Sequence, residues 1–179
     1  MLTKIKIGVM GSAEEAASSK IGELSHSLAL EIVRRDLVLL TGATTGLIYS
    51  IGKAVRNAGG LHIGISPGAN EREHADHYHL PADACDVIVY TGFGLKGRNV
   101  VLVRSSDIVL FVAGSIGSLN EFTIAYDEGK IIGCLTGTGG VADEVRRIVE
   151  ILRKPTDSRI VYDEDPRLLI NRCLQMQEV

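Results

Sequence analysis

At 179 residues, with 45% hydrophobic and 23% charged side chains, the chain is long enough for one domain around a sizeable core. A formal net charge of −3 without any block of Lys and Arg leaves no electrostatic footprint for a nucleic-acid backbone. No apolar run approaches the ~20 residues of a membrane span, and Cys85, Cys134 and Cys173 are too widely spaced for a disulfide framework or a metal knuckle, so a soluble cytoplasmic protein with reduced thiols is expected.

The first strand-like run is "IKIGVMG" from Ile5. "SSKIGELSHSLALEIVRRD" then sets Ile21, Leu24, Leu28, Ile32 and Val33 at helix spacing. "LVLLTG" from Leu37 returns to strand, "TTGLIYSIGKAVRNAGG" is a helix stopping at a glycine pair, and "LHIGISPG" from Leu61 is a third strand. "SPGANEREHADHYHLPADA", Ser66 to Ala84, is polar and proline-bounded and is expected to lie irregularly over one end of the sheet. The pattern resumes with strand "DVIVYTG" from Asp86, helix "KGRNVVLVRSS", strand "DIVLFVAG" from Asp107 and helix "SLNEFTIAYDEGK". Strand "IIGCLTG" from Ile131, helix "GGVADEVRRIVEILRK", strand "RIVY" from Arg159 and helix "DPRLLINRCLQ", with proline near its start, complete it. Continuous rather than alternating hydrophobicity marks strands buried on both faces. The alternation predicts a single Rossmann-like α/β domain over residues 1–179, a doubly wound, mainly parallel sheet of about seven strands flanked by helices.

The first six strands each run into a glycine turn: "MGSA", "TGATTG", "PGA", "TGFGLKG", "AGSIG" and "TGTGG". In open α/β sheets ligands bind outside the carboxyl ends of the strands, and amides at helix N-termini attract anions. Together the turns point to a phosphate-bearing small molecule. "GFGLKG" formally matches the dinucleotide fingerprint, but the following strand ends "FVAG", without the acidic residue that would hold a ribose, and no GxxxxGK[ST] occurs. NAD-type and P-loop readings are therefore disfavoured.

"GLKGRNVVLVRSSD" puts Arg98 at the start of one helix and "FVAGSIGSLNEF" puts Glu121 in the first turn of the next, so a guanidinium and a carboxylate are expected at one sheet edge. A cation near a helix N-terminus opposes the dipole, and residues that break local rules cluster at sites. Ser118-x-x-Glu121 also has capping-box spacing, which would tie the glutamate to the helix end.

In this order "VMGSA", "TGATTGLIYSIGKAVRNAGGLHIGISPG", "GLKGRNVVLVRSSD" and "AGSIGSLNEFTIAYDEGKIIG" resemble the LOG-like family of Rossmann-related proteins, often labelled "possible lysine decarboxylase". "YTGFGLKGRN" is similar to a short prokaryotic subgroup related to molybdenum cofactor carrier proteins. The resemblance implies a phosphoribohydrolase that cleaves the N-glycosidic bond of a nucleoside 5'-monophosphate to free base and ribose 5-phosphate. Arg98 and Glu121 would match the catalytic pair, Gly114, Ser115, Gly117 and Ser118 the phosphate turn, and Gly11 and Ser12 the first-strand turn, with Gly42 and Gly46 in the second. A carboxylate beside the departing base would stabilise oxocarbenium-like charge, a step requiring neither metal nor cofactor. The alternative implied is a non-catalytic carrier of a phosphate-bearing ligand such as molybdenum cofactor.

Three departures from the family pattern stand out: Ser115 stands where the family has a glycine, the second turn reads "TGATTG" rather than a run of glycines, and Asn99 follows the arginine in place of lysine; the first two favour the carrier alternative. A serine forced to positive φ would be strained. The resemblance also implies a homodimer or larger homo-oligomer through the helices after "GRN" and "GSLNE". Lysine decarboxylation finds no lysine in a recognisable pyridoxal phosphate context. His74, His77 and His79 in "EHADHYH" read as a solvated loop rather than a metal site, Cys134 as a buried hydrophobe, and Arg104 as an ion-pair partner.

Overall fold

The computed structural model describes residues 3–14, 16 and 18–177. Seven strands form one sheet: β1 Lys6–Gly11, β2 Val38–Thr41, β3 Leu61–Ser66, β4 Val87–Tyr90, β5 Ile108–Val112, β6 Ile131–Leu135 and β7 Arg159–Asp163. Their order is β4-β3-β2-β1-β5-β6-β7 and every pairing is parallel. The helices are α1 Ser19–Arg34, α2 Gly46–Asn57, α3 Gly94–Ser105, α4 Ile116–Asp127, α5 Gly140–Leu152 and α6 Pro166–Gln175.

The continuous apolar runs are the central strands. β2, β5 and β6 are buried at every residue. Edge strand β4 instead leaves Val87 and Val89 exposed, because only one side of it is paired and its outer surface is partly uncovered.

Side chains alternate across the sheet and feed two cores. Ile7, Val9, Leu39 and Leu110 meet Leu28 and Ile32 of α1, Leu47 and Ile51 of α2 and Leu169 of α6 on one face. Met10, Leu40, Val109 and Phe111 meet Leu102 of α3, Phe122 of α4 and Val145 of α5 on the other. Phe111 and Phe122 are fully buried edge to face at 5.9 Å, and burial of each side chain stabilises the fold by about 1.5–3 kcal/mol. Part of the apolar α3 and α4 content is consumed here: Leu102, Val103, Phe122, Ala125 and Tyr126 are buried against the sheet.

Strand order places the site. Chain growth runs outward from β1 to β4, and α3 then returns across the face of the sheet, packing on β3 and β1, to deliver β5 against the other side of β1. The order reverses between β1 and β5, and a crevice opens at their carboxyl ends.

The polar segment after β3 is more ordered than its composition suggests. Residues Glu73–His77 form a single π-helical turn, and His74 is fully buried, its Nδ1 2.9 Å from Ser66 Oγ and its Nε2 3.3 Å from Pro81 O. His77 and His79 remain exposed. Among the described residues, no group of three or more His, Cys, Asp and Glu side chains is placed to hold a metal ion, and no helix is long and apolar enough to cross a membrane.

Candidate functional site

A cleft with a free volume of about 170 Å3 lies at the β1/β5 reversal. Its floor is the end of β1 with Gly11, one wall is Gly42 and Thr44 from the turn after β2, and the other is built by the opening turns of α3 and α4. Of the residues expected from the sequence, Gly11, Gly42, Arg98, Ser115, Gly117, Ser118 and Glu121 line it. Ser12, Gly46 and Gly114 do not. Ser12 Oγ accepts from the Glu14 amide at 3.0 Å, Gly46 at φ +67° packs on the backbone of Ala13 and Glu14, and Gly114 at φ +99° lies against the Ser118 side chain.

Among the described residues the cleft is lined from the turns after β1, β2 and β5 and from the start of α3. The turn after β6 is closed by its own aspartate, since Asp143 accepts from the amides of Gly137 and Gly139 at 2.7 and 2.8 Å.

The capping-box expectation for Ser118 and Glu121 is overturned by where α4 begins. Ser115 is the N-cap, so Ser118 is already the third helical residue and Glu121 lies in the second turn. Ser118 Oγ donates to Gly11 O at 3.1 Å, stitching α4 to the end of β1. Arg98 likewise sits in the second turn of α3, because that helix starts at Gly94. Ser115 is extended at φ −127° and carries no strain; the positive φ values fall on Ala113 at 53° and Gly114 at 99°.

These shifts turn Arg98 and Glu121 toward each other, Nη1 to Oε1 at 3.2 Å, with both residues buried. The guanidinium lies on the Cα of Gly42, where a methyl group would overlap it. With its amide turned so that donors meet acceptors, Asn99 Nδ2 comes within 3.1 Å of Glu121 Oε1 and 3.0 Å of Leu95 O. Among the described residues Arg98 Nε has no hydrogen-bond partner.

Burial pushes the Glu121 carboxyl up to about 7, against the opposing pull of Arg98 and then of Lys96. Burial also draws Arg98 below its ordinary value while Glu121 holds it up. A guanidinium starts so far above neutrality that it keeps its charge, and the carboxyl is the group that titrates.

The helix N-termini divide by how their first amides are satisfied. Ser18 caps α1 and Asp165 caps α6 through their side chains. Carbonyls of Ser12 and Glu14 receive the α2 amides, and those of Ala113 and Gly114 the α5 amides. In α3 only the Gly94 amide is received, by Pro67 O. Among the described residues no protein acceptor meets the amides of Leu95, Lys96, Ile116, Gly117 and Ser118.

Both open ends border the cleft, and an uncapped N-terminus carries partial positive charge. Lys96 adds a full one at the rim and, among the described residues, forms no ion pair. The sequence reading missed Lys96, Asn99, Leu95 and Thr44 as lining residues. The dipole conflict that singled out Arg98 also holds for Lys96, whereas Asn99 has no comparable local signal.

A sequence model of the SLOG cluster4 family matches residues 4–170. The chain belongs to that family. An uncharacterized protein of Archaeoglobus fulgidus is 29% identical to this SLOG cluster4 chain over 131 residues, 73% of this chain and 80% of its own. The molybdenum cofactor binding protein of the phototrophic bacterium Rippkaea orientalis superposes with a TM-score of 0.79 at 26% identity, covering 99% of each chain. The molybdenum cofactor carrier protein of Chlamydomonas reinhardtii gives 0.73 at 22% identity over 99% of this chain and 100% of its own, a likeness of fold. Of the family expectation, what is shown is membership of the SLOG cluster4 family and a likeness to molybdenum cofactor proteins, not the LOG or lysine decarboxylase label.

Proposed function

We propose that this SLOG cluster4 chain binds a phosphate-bearing small molecule, of the class of a pterin cofactor such as molybdenum cofactor, and carries it without cleaving it. The observation that carries this reading is Arg98, buried in the cleft with Nε unpartnered beside two helix ends whose amides lack acceptors. Anionic oxygens in the cleft would meet the open amides beside the guanidinium, and a buried unmatched donor otherwise costs about 1–3 kcal/mol. Likeness to the Rippkaea orientalis protein supports the pterin class.

Glu121 favours carriage over hydrolysis. A carboxylate that stabilises oxocarbenium charge must be ionised and aimed at the sugar. Here it is desolvated and Oε1 is held by Arg98 Nη1 at 3.2 Å, so the carboxylate is engaged by the protein rather than left free to face a sugar. The same pairing supports a second reading, nucleoside-monophosphate N-glycosidase action, because it gathers in one cleft the guanidinium and carboxylate such an enzyme would use.

The test has two arms. Incubation with a panel of nucleoside 5'-monophosphates, followed by chromatography for free base, is expected to show no release, and a phosphate-bearing pterin is expected to raise the melting temperature. Base release that vanishes in Glu121→Gln would establish hydrolysis instead. The reading also includes a homo-oligomer formed through the outer surface of α3 and α4 around Val100 and Ile124, which sedimentation checks.

A further inference from the structure

The cleft is too small for the ligand it is proposed to hold. Pockets that enclose drug-sized ligands measure about 300–1,000 Å3, against about 170 Å3 here. That space suits a phosphate and the group that bears it. A fused heterocycle attached beyond them would extend past the mouth of the cleft.

What lies at the mouth is apolar. Phe93, the N-cap of α3, is 66% exposed, Leu95 in its first turn is 51% exposed, and Ile116, the first residue of α4, is 72% exposed. All three sit at the two helix ends that border the cleft, and Leu95 lines it directly. Large apolar side chains held in water at the two helix ends that border the cleft belong to neither core. They form a surface that a flat ring would cover.

We infer that the Phe93, Leu95 and Ile116 rim is a second subsite, which holds the planar heterocycle of a ligand whose phosphate occupies the cleft. The inference rests on the phosphate-site reading above. An aromatic face and two branched aliphatic side chains contact any flat π-system without reading its hydrogen-bonding edge, so the rim contributes affinity more than base identity. The inner cleft selects the anion and the rim selects for a ring.

The test compares two probes that share a phosphate, ribose 5-phosphate and adenosine 5'-monophosphate, by calorimetric titration of the full chain. The variant is Phe93→Ala with Ile116→Ala. Alanine is used because serine at position 93 would cap α3 and occupy the amides the phosphate needs. Both side chains are exposed, so an unchanged melting temperature is expected. Wild type should bind the nucleotide roughly tenfold tighter than the sugar phosphate, and the double variant should erase that ratio while keeping ribose 5-phosphate affinity.

An undiminished ratio overturns the subsite. Equal losses for both probes overturn it as well, since the rim would then be part of the anion site. A variant that sediments as a smaller species with its ratio intact assigns the rim to contact between copies of the chain. If neither probe binds wild type, the phosphate-site reading itself fails, an outcome distinct from the other three.

Discussion

Gly42→Ala isolates the positioning of Arg98. Gly42 does not adopt positive φ, so alanine is acceptable to the backbone there. The added methyl group would overlap Nη1, Cζ and Nη2 of Arg98, and restoring an ordinary separation of about 3.5 Å requires the guanidinium to retreat by more than ~1 Å. Buried between the turn after β2 and Glu121, it has little room to do so without lengthening its 3.2 Å contact with Oε1. Overpacking of this kind costs about 1–3 kcal/mol, which for a chain of 179 residues lowers the melting temperature by roughly 2–12 °C. Affinity for a phosphate-bearing ligand should fall with it. The informative measurement is a double-mutant cycle by denaturant unfolding, because an Arg98→Ala background removes the three atoms that the methyl group would overlap. The destabilisation should then shrink to within about 0.5 kcal/mol of zero, giving a coupling near 1–3 kcal/mol. Additive effects in the two backgrounds would refute the claim that Gly42 is there to seat the guanidinium.

Other substitutions separate stability from binding. Gly117 lines the cleft, and a methyl group on its Cα would meet nothing within 4 Å, so Gly117→Ala should leave stability equal or raise it by up to about 1 kcal/mol, while phosphate binding measured by calorimetry weakens. Glu121 is raised in the folded chain from 4.5 to about 7, so the stability linked to its proton is fully present below 4.5 and lost as pH rises through 7. Wild type should lose at most about 3 kcal/mol relative to Glu121→Gln between pH 4.5 and 8 in urea titrations. Glu31 has the opposite sign. The bonds from Arg34, then Arg35, lower it to about 2, so its contribution is present above 4.5 and lost as pH falls through 2, and Glu31→Gln should flatten the acid limb of a melting-temperature profile. Replacing the buried pair by Arg98→Met with Glu121→Leu should leave stability within a few kcal/mol of wild type or raise it, whereas Arg98→Met alone should cost about 3–5 kcal/mol, as equilibrium unfolding would record.

The elements were legible in the sequence because each rests on a local signal. "DIVLFVAG" is apolar at every position from Ile108 to Ala113 because β5 is covered on both faces, and Leu28 and Ile32 recur at helix spacing because α1 has one face to bury. Glycine after a strand was equally visible, and so were the acidic balance and the dipole conflict at Arg98. Which glycine serves a ligand was not. The turn after β6 looks as open as the one after β5 until Asp143, from within α5, fills it. Ser118 and Glu121 have capping-box spacing, yet Ser115 is the N-cap of α4, and the Ser118 hydroxyl goes to Gly11 across the sheet reversal. Strand order decided the rest: α3 must cross back from β4 for Arg98 to meet Glu121, for Gly42 to receive its guanidinium, and for two uncapped helix ends to face one crevice. Short-range periodicity determines where the chain is strand or helix, because burial and backbone geometry act over a few residues. The meeting of side chains far apart in the chain depends on the global path of the crossover, and only the tertiary structure decides it.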